Sequence, residues 1–451
     1  MLSRRSDILP HSIEKRVHPW RATLLVNVPT IILILVMFPL GRVLEDNIDP
    51  YFLRIGILIG FNVILAVSLQ LINGFSGQFS LGHAGFMAVG AYLAAYPAIN
   101  YSKNFDDPGP TLLFYVALAI SVGIGAGVLW VLFYAIRMSR RIHKALPGIL
   151  LVALVAWIVW DYSKAADSAQ TPVWAVWSHA TFLLQRLFGA INSGVGPAAS
   201  KIFRVLPQAA RPSICFIILI AGSGACASAV GFIVGLPALR LRGDYLAIAT
   251  LGFGEIIRIA IQNSEPLGGA LGLTGIPKFT NFGWLYAFVI VTIGVIWRVA
   301  YSPKGRAIMA VREDEIAASS IGVFTTDYKV IAFSIGAFFA GVAGALFSLH
   351  ERSITPSYFN VVKSIEPVVM VTLGGLGSIS GAIFAAAVLT ILPEILRDIS
   401  PQDRMVFYSL LLVIMMLLRP QGLLGGRELW PRRKRYSPRN IAPTQAEAVP
   451  A

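Results

Sequence analysis

The stretch SPKGRAIMAVREDEIAASSIGVFTTDYK, residues 302–329, separates two long apolar runs. Lys304, Arg306, Arg312, Glu313, Asp314 and Glu315 crowd into its first half, in a chain of which only 13% is charged. Such a segment lies in water beside a membrane. Ala307, Ile308, Val311, Ile316, Ala317 and Ile321 recur at helical spacing, Gly322 offers a stop, and Asp327 is placed to cap the helix that follows. Two readings are open. The segment is either a short surface helix slung between two spans to receive force from a soluble partner, or a basic loop whose charge only holds it in the cytoplasm.

Composition decides what lies on either side. Of 451 residues 56% are hydrophobic, and the charged share is about half that of an ordinary soluble domain. The formal charge of +14 suits a nucleic-acid binder only if it lines soluble surface. Here the basic residues sit in short connections and at both ends, where they orient spans and meet anionic lipid headgroups, so no nucleic-acid partner is expected. Cys215 and Cys226 stand eleven residues apart in one apolar run. That is three helical turns, too far for a disulfide, and neither has the neighbours of a metal site.

The order of the chain then reads as follows. Residues 1–21 are a basic cytoplasmic segment, residues 22–426 a membrane domain, and residues 427–451 a basic cytoplasmic tail that includes RELWPRRKRYSPR. The first apolar run is too long for a signal peptide and is read as a retained span. An insertion over residues 137–212, flanked by Arg137, Arg140 and Arg141, has no readable purpose. Asp244 is placed to cap a helix over residues 245–261, in which Glu255 and Arg258 stand three apart in an otherwise apolar run. Such a pair is too costly to leave in lipid. It either closes a helix interface as an ion pair or lines a path. Gly336, Gly341 and Gly344 give a later span a small-residue face for close packing.

Two stretches interrupt hydrophobicity at membrane depth. In NGFSGQFSLGHAGFMAVGAYLAAY, residues 73–96, Gly74, Gly77, Gln78, Gly82 and His83 break the run. Irregular backbone survives there only under a cover of protein or along a water-filled path, so both a tight packed turn and a translocation path are open. His83 is read as a packing histidine, since no carboxylate is near it in sequence. In VTLGGLGSISG, residues 371–381, Gly374, Gly375 and Gly377 mark a second break. Charge bias requires it, because one uninterrupted span over residues 366–397 would leave the basic tail on the wrong side. A half-helix that breaks and turns restores the count. The expected fold is an all-α polytopic membrane protein with about 10–11 transmembrane helices plus broken or re-entrant elements.

On GFSGQFSLGHAGFMAVGAY, LPALRLRGDYLAIATLGFGEIIR, GRAIMAVREDEIAASSIGV, AFSIGAFFAGVAGALF, VMVTLGGLGSISG and RPQGLLGG, the chain resembles the LivM-type permeases of bacterial ATP-binding-cassette importers for branched-chain amino acids. The resemblance implies an inner-membrane subunit with both termini cytoplasmic. Its partners would be a second permease of the LivH type, two ATPases of the LivG and LivF type, and a soluble solute-binding protein on the outer side. It implies no catalytic site and no bound cofactor or metal, ATP and magnesium being used by the partner ATPases. Permeases of such importers present a coupling helix with the pattern EAA, three residues, then Gly. Ala317, Ala318 and Gly322 keep that spacing, and Glu315 stands one residue early, with Ile316 intervening. Gly74, Gly77, Gln78, Gly254, Glu255, Gly374, Gly375 and Gly377 are the candidates for the path and its helix breaks. An ion-driven secondary amino acid transporter is the alternative, with Glu255 and His83 as coupling sites, and urea or short amides are the alternative cargo. The chain lacks a GxxxxGK[ST] loop, a GxSxG nucleophile and a histidine cluster, so an intramembrane enzyme has no support.

Overall fold

A computed structural model describes residues 19–100, 114–116, 207, 210–239, 241 and 243–399, with 410, 413–414, 417, 419, 421–424 and 428–429 of the carboxyl-terminal part. Most of the insertion lies outside the described residues. Eleven helices are described: α1 (Pro19–Asn47), α2 (Pro50–Leu69), α3 (His83–Asn100), α4 (Arg211–Ala238), α5 (Asp244–Gln262), α6 (Phe282–Ala300), α7 (Pro303–Glu313), α8 (Glu315–Ser320), α9 (Thr325–Glu351), α10 (Val361–Gly374) and α11 (Ile379–Ile399). The strands β1 (Leu273–Thr274) and β2 (Ser353–Ile354) pair antiparallel in the loops at one end. Five of the described helical stretches are long and apolar enough to cross a membrane: Pro50–Phe75, Arg211–Ala238, Phe282–Ala300, Thr325–Glu351 and Ile379–Leu396. The chain is an all-α polytopic membrane protein.

Helix α9 is the hub. Its buried residues include a run of small ones, Gly336, Ala337, Ala340, Gly341, Ala343, Gly344 and Ala345, among larger ones such as Phe333, Phe339 and Leu346. Lipid removes the hydrophobic drive between helices, so association rests on backbones that approach closely enough for dispersion. A methyl group at Gly90 of α3 would run into the backbone of Gly341, and one at Gly344 into that of Met87. On the side of α4, Gly341 faces Ala227. α1 joins the bundle through α6 in the same way, since a methyl at Gly41 would lie 2.7 Å from the Gly283 nitrogen.

Two predicted caps sit one or more residues away from where the sequence places them. Asp244 is the first residue of α5, and the N-cap is Gly243, held at φ +57°. Asp327 lies inside the first turn of α9, whose N-cap is Phe324 with no side-chain bond. In both cases the acid still stabilises the helix start through the macrodipole. The two cysteines lie on α4, and neither forms a disulfide.

Candidate functional site

The connection between α6 and α9 holds two short helices. Ser302 opens α7, its hydroxyl accepting from the Gly305 N–H at 3.0 Å. Asp314 breaks the helix in extended backbone and caps α8, its carboxylate accepting from the N–H groups of Ile316 (2.8 Å) and Ala317 (3.0 Å). Gly322, at φ +87°, ends the turn in a conformation that L side chains resist. Lys329 of α9 donates to Glu315 at 2.7 Å, bracing α8 against the next span. Ala318 is buried at 3% exposure and faces inward, while Ala317 is exposed. Around it Ile316, Ile321 and Phe324 stand 70%, 78% and 76% exposed. Apolar side chains so bare on a charged connection form a surface suited to a partner.

The two helix breaks meet at the same end of the bundle. α2 continues as one π-helical stretch, Gln70–Phe75, and the chain then runs irregularly to α3. α10 has 14 residues, about 21 Å and too short to cross a core of about 30 Å. It stops at Gly374, and Gly375 and Gly377 adopt positive φ before α11 begins at Ile379. Buried Gln70 crosses between the breaks, its Nε2 donating to the carbonyls of Gly375 (2.9 Å) and Ser378 (3.2 Å). A methyl at Gly74 would lie 2.8 Å from the Gly377 nitrogen, so the two interruptions are in backbone contact.

Each free helix end at the breaks finds a partner. The N–H groups of Leu423 and Leu424 donate to the carbonyls of Leu373 (2.7 Å) and Gly374 (3.4 Å). Glu428 caps α11, accepting from the N–H groups of Ile379 (2.7 Å) and Ser380 (3.1 Å) and from the Ser380 hydroxyl (2.7 Å). Thr250 of α5 accepts from the Leu81 N–H (3.0 Å), and Ser364 of α10 accepts from the Ala84 N–H (3.1 Å) at the start of α3.

Two substitutions test this accounting. Gln70→Leu keeps the volume and removes the side-chain donor that bridges the breaks, while the Gly375 and Ser378 carbonyls keep the N–H groups of Ser378 and Ala382, each at 3.1 Å; the expected loss is about 0.5–1.5 kcal/mol, read as a lower unfolding temperature of the solubilised chain. Glu428→Ala uncaps α11 at an expected cost of about 1 kcal/mol, and Glu428→Gln, which still accepts, recovers part of it in the same measurement.

Between the breaks and α5 the interior is polar. Gln78 is 3% exposed and neither of its amide atoms has a partner among the described residues. Asn73 Nδ2, Ser80 Oγ and Gln70 Oε1 are likewise buried and unpaired. His83 is fully buried and shares a 2.8 Å hydrogen bond with Ser68 through Nε2, while its Nδ1 has no partner among the described residues. On the far side of residues 76–82, Gly254 meets Gly82 and Gly85 backbone to backbone, with Gly254 Cα 2.8 Å from a methyl at Gly85. Beside it Arg258 donates to Glu255 at 2.7 Å and to Gln262 at 3.3 Å, with both charged side chains about a quarter exposed.

The structure therefore sorts the sequence candidates into three places. Gly74, Gly77, Gly375 and Gly377 converge at the breaks with Gly374 at the end of α10; Gln78 lies in the adjoining irregular stretch, against which Gly254 packs, while Glu255 pairs with Arg258 on α5; Glu315, Ala317, Ala318 and Gly322 lie on the connection. Gln70, Arg312, Thr250, Ser364 and Glu428, which tie these places together, carry no spacing signal in the sequence, because each bonds a residue far away along the chain.

Known proteins similar to this chain are membrane permeases. The LivM permease protein of the high-affinity branched-chain amino acid transport system of Salmonella typhimurium is 40% identical over 237 residues, 45% of this chain and 56% of the relative. Its Escherichia coli K12 counterpart gives the same figures. The LivH permease protein of Escherichia coli K12 is 32% identical over 147 residues, 32% of this chain and 47% of that protein. The chain spans about half the length of these curated relatives. No solved structure matches it. The family described as "Branched-chain amino acid transport system / permease component" matches residues 51–173 and 169–418, so that both helix breaks and the whole connection fall within it, and the chain belongs to that permease family.

Proposed function

We propose that this protein is the membrane-embedded subunit of an ATP-driven importer that, together with a second permease, forms the passage for branched-chain or related amino acids. The observation that carries the reading is the bare apolar patch of Ile316 on α8, Ile321 at its C-cap and Phe324 at the N-cap of α9, beside a helix braced by the Glu315–Lys329 pair. A rigid short helix exposing apolar groups between two spans fits the surface of an ATPase subunit, which on closing around ATP would move α8 and its spans as one body. Alternating access then needs only rocking around a central path. The partner ATPases would supply ATP and magnesium chemistry, and an external binding protein would deliver cargo. The basic segments at residues 1–21 and 427–451 favour cytoplasmic termini in the inner membrane.

The uncharged, buried donors and acceptors of Asn73, Gln78 and Ser80 suit a passage for a zwitterion, whose opposite charges need polar neighbours without a net field. The test is uptake of labelled leucine into membrane vesicles that hold ATP but no ion gradients. Deleting this chain is expected to abolish that uptake and its restoration to return it. Uptake that needs a proton or sodium gradient instead would favour a secondary transporter.

A further inference from the structure

The notch between the two helix breaks holds a cation, and it comes from the connection. Arg312, in the last turn of α7, donates through Nη1 to the Gly74 carbonyl at 2.6 Å. Its stem lies on Gly77, where a methyl group would come 2.7 Å from Cγ, and its tip lies beside Gly377, where a methyl would come 3.0 Å from Nη1. Gly77 at φ +68° and Gly377 at φ +89° thus shape a slot for one arginine side chain.

The electrostatics fit that occupant. The helix that runs from Pro50 to Phe75 and the helix α10 both end here, and helix C-termini present carbonyls with partial negative charge that favour a cation. The neighbouring carbonyls have backbone donors: Leu71 takes the Ser76 N–H, Ile72 the Gln78 N–H, and Val371 the Gly375 N–H. Gly74 takes the guanidinium. The nearby Glu313 lies 3.4 Å from Nε but its side chain is 75% exposed, so water weakens its competing pull.

The same arginine is rigidly attached to α8. Ile308 and Val311 bury α7, the Asp314 N–H donates to Ala310 at 3.1 Å, and Asp314 caps the next helix. A displacement of α8 therefore carries Arg312 with it.

We propose that Arg312 is the positioning residue that passes movement of the α7–α8 connection to the two helix breaks, by drawing Gly74 and Gly377 with it. This rests on the reading of α8 as the surface gripped by the ATPases. The experiment uses the complete importer, with both permeases, its ATPases and its binding protein, in vesicles, and reads leucine imported per ATP hydrolysed, a ratio that the amount of folded chain does not alter. Arg312→Ala is expected to keep hydrolysis and lower the ratio at least tenfold. Arg312→Lys, which still places a charged donor at the slot, is expected to recover part of it. An unchanged ratio in Arg312→Ala, whatever its abundance, overturns the proposal and leaves Arg312 a structural clamp. Should Arg312→Ala yield no assembled complex, Arg312→Gln is measured, with a loss of at least threefold expected and an unchanged ratio again overturning the idea. Ala317→Asp, run in parallel, separates the two readings. If it transports normally, the role of α8 fails; if it abolishes transport while Arg312→Ala does not, only the role of Arg312 fails.

Discussion

Replacing Ala317 by aspartate is expected to reduce ATP-driven uptake at least tenfold while the chain stays in the membrane at its normal abundance. Ala317 is exposed on α8 next to Ile316, so the isolated chain loses no buried contact when a carboxylate is added there. An interface closing over α8 would strip that carboxylate of water with no cation on α8 to answer it, since Lys329 already serves Glu315. Burying an unpaired charge costs several kcal/mol, enough to undo a transient contact. Ile321→Asp should act in the same way. Ala318→Asp differs: Ala318 is buried, so its charge disrupts the seating of α8 on the protein itself and abundance falls along with uptake. Vesicle uptake measured beside the amount of chain in the membrane separates these outcomes, and normal transport by Ala317→Asp at normal abundance would count against α8 as the gripped element.

The second large effect concerns the bundle. Alanine is favoured over glycine in a helix by about 1 kcal/mol, so propensity alone predicts that Gly90→Ala and Gly294→Ala both stabilise. At Gly294 of α6 the new methyl meets only Thr30, at an ordinary 3.7 Å, and the prediction stands. At Gly90 the methyl runs into the Gly341 backbone, which cannot swing aside as a side chain can. Separating α3 from α9 also loosens the neighbouring Gly344–Met87 contact. The expected net cost is about 2–3 kcal/mol for Gly90→Ala, a loss of roughly a hundredfold in the folded ratio. Gly90→Leu should leave almost no folded chain. Size-exclusion profiles of the solubilised variants give the reading, and a Gly90→Leu protein as abundant and monodisperse as the parent would contradict the packing described.

Much of this architecture is legible in residue order. The apolar runs, the small-residue face of α9 and the glycines that end helices act through their own backbone or through neighbours three and four positions away, so their effects appear as local pattern. The break at Gly374 to Gly377 was legible by a different route, from the side on which the basic tail must lie. Two caps were misplaced because Asp244 and Asp327 favour a helix start from inside the first turn as well as from the cap itself. Of the charged pair on α5, the sequence offered both an ion pair and a path, and the 2.7 Å contact between Glu255 and Arg258 shows the ion pair.

What residue order determined by itself was a helical chain for a bilayer, with two interrupted spans and one charged connection, because hydrophobic length and charge bias act along the chain. What only the tertiary structure decided was that the interruptions touch. Gln70, Leu423, Leu424 and Glu428 bond helix ends more than 40 residues away in sequence, and the side chain of Arg312 fills a slot cut by Gly77 and Gly377. Unsatisfied carbonyls at a helix end need some donor, but nothing local specifies which one, so the partner is set only when the packed bundle brings distant segments within hydrogen-bonding reach.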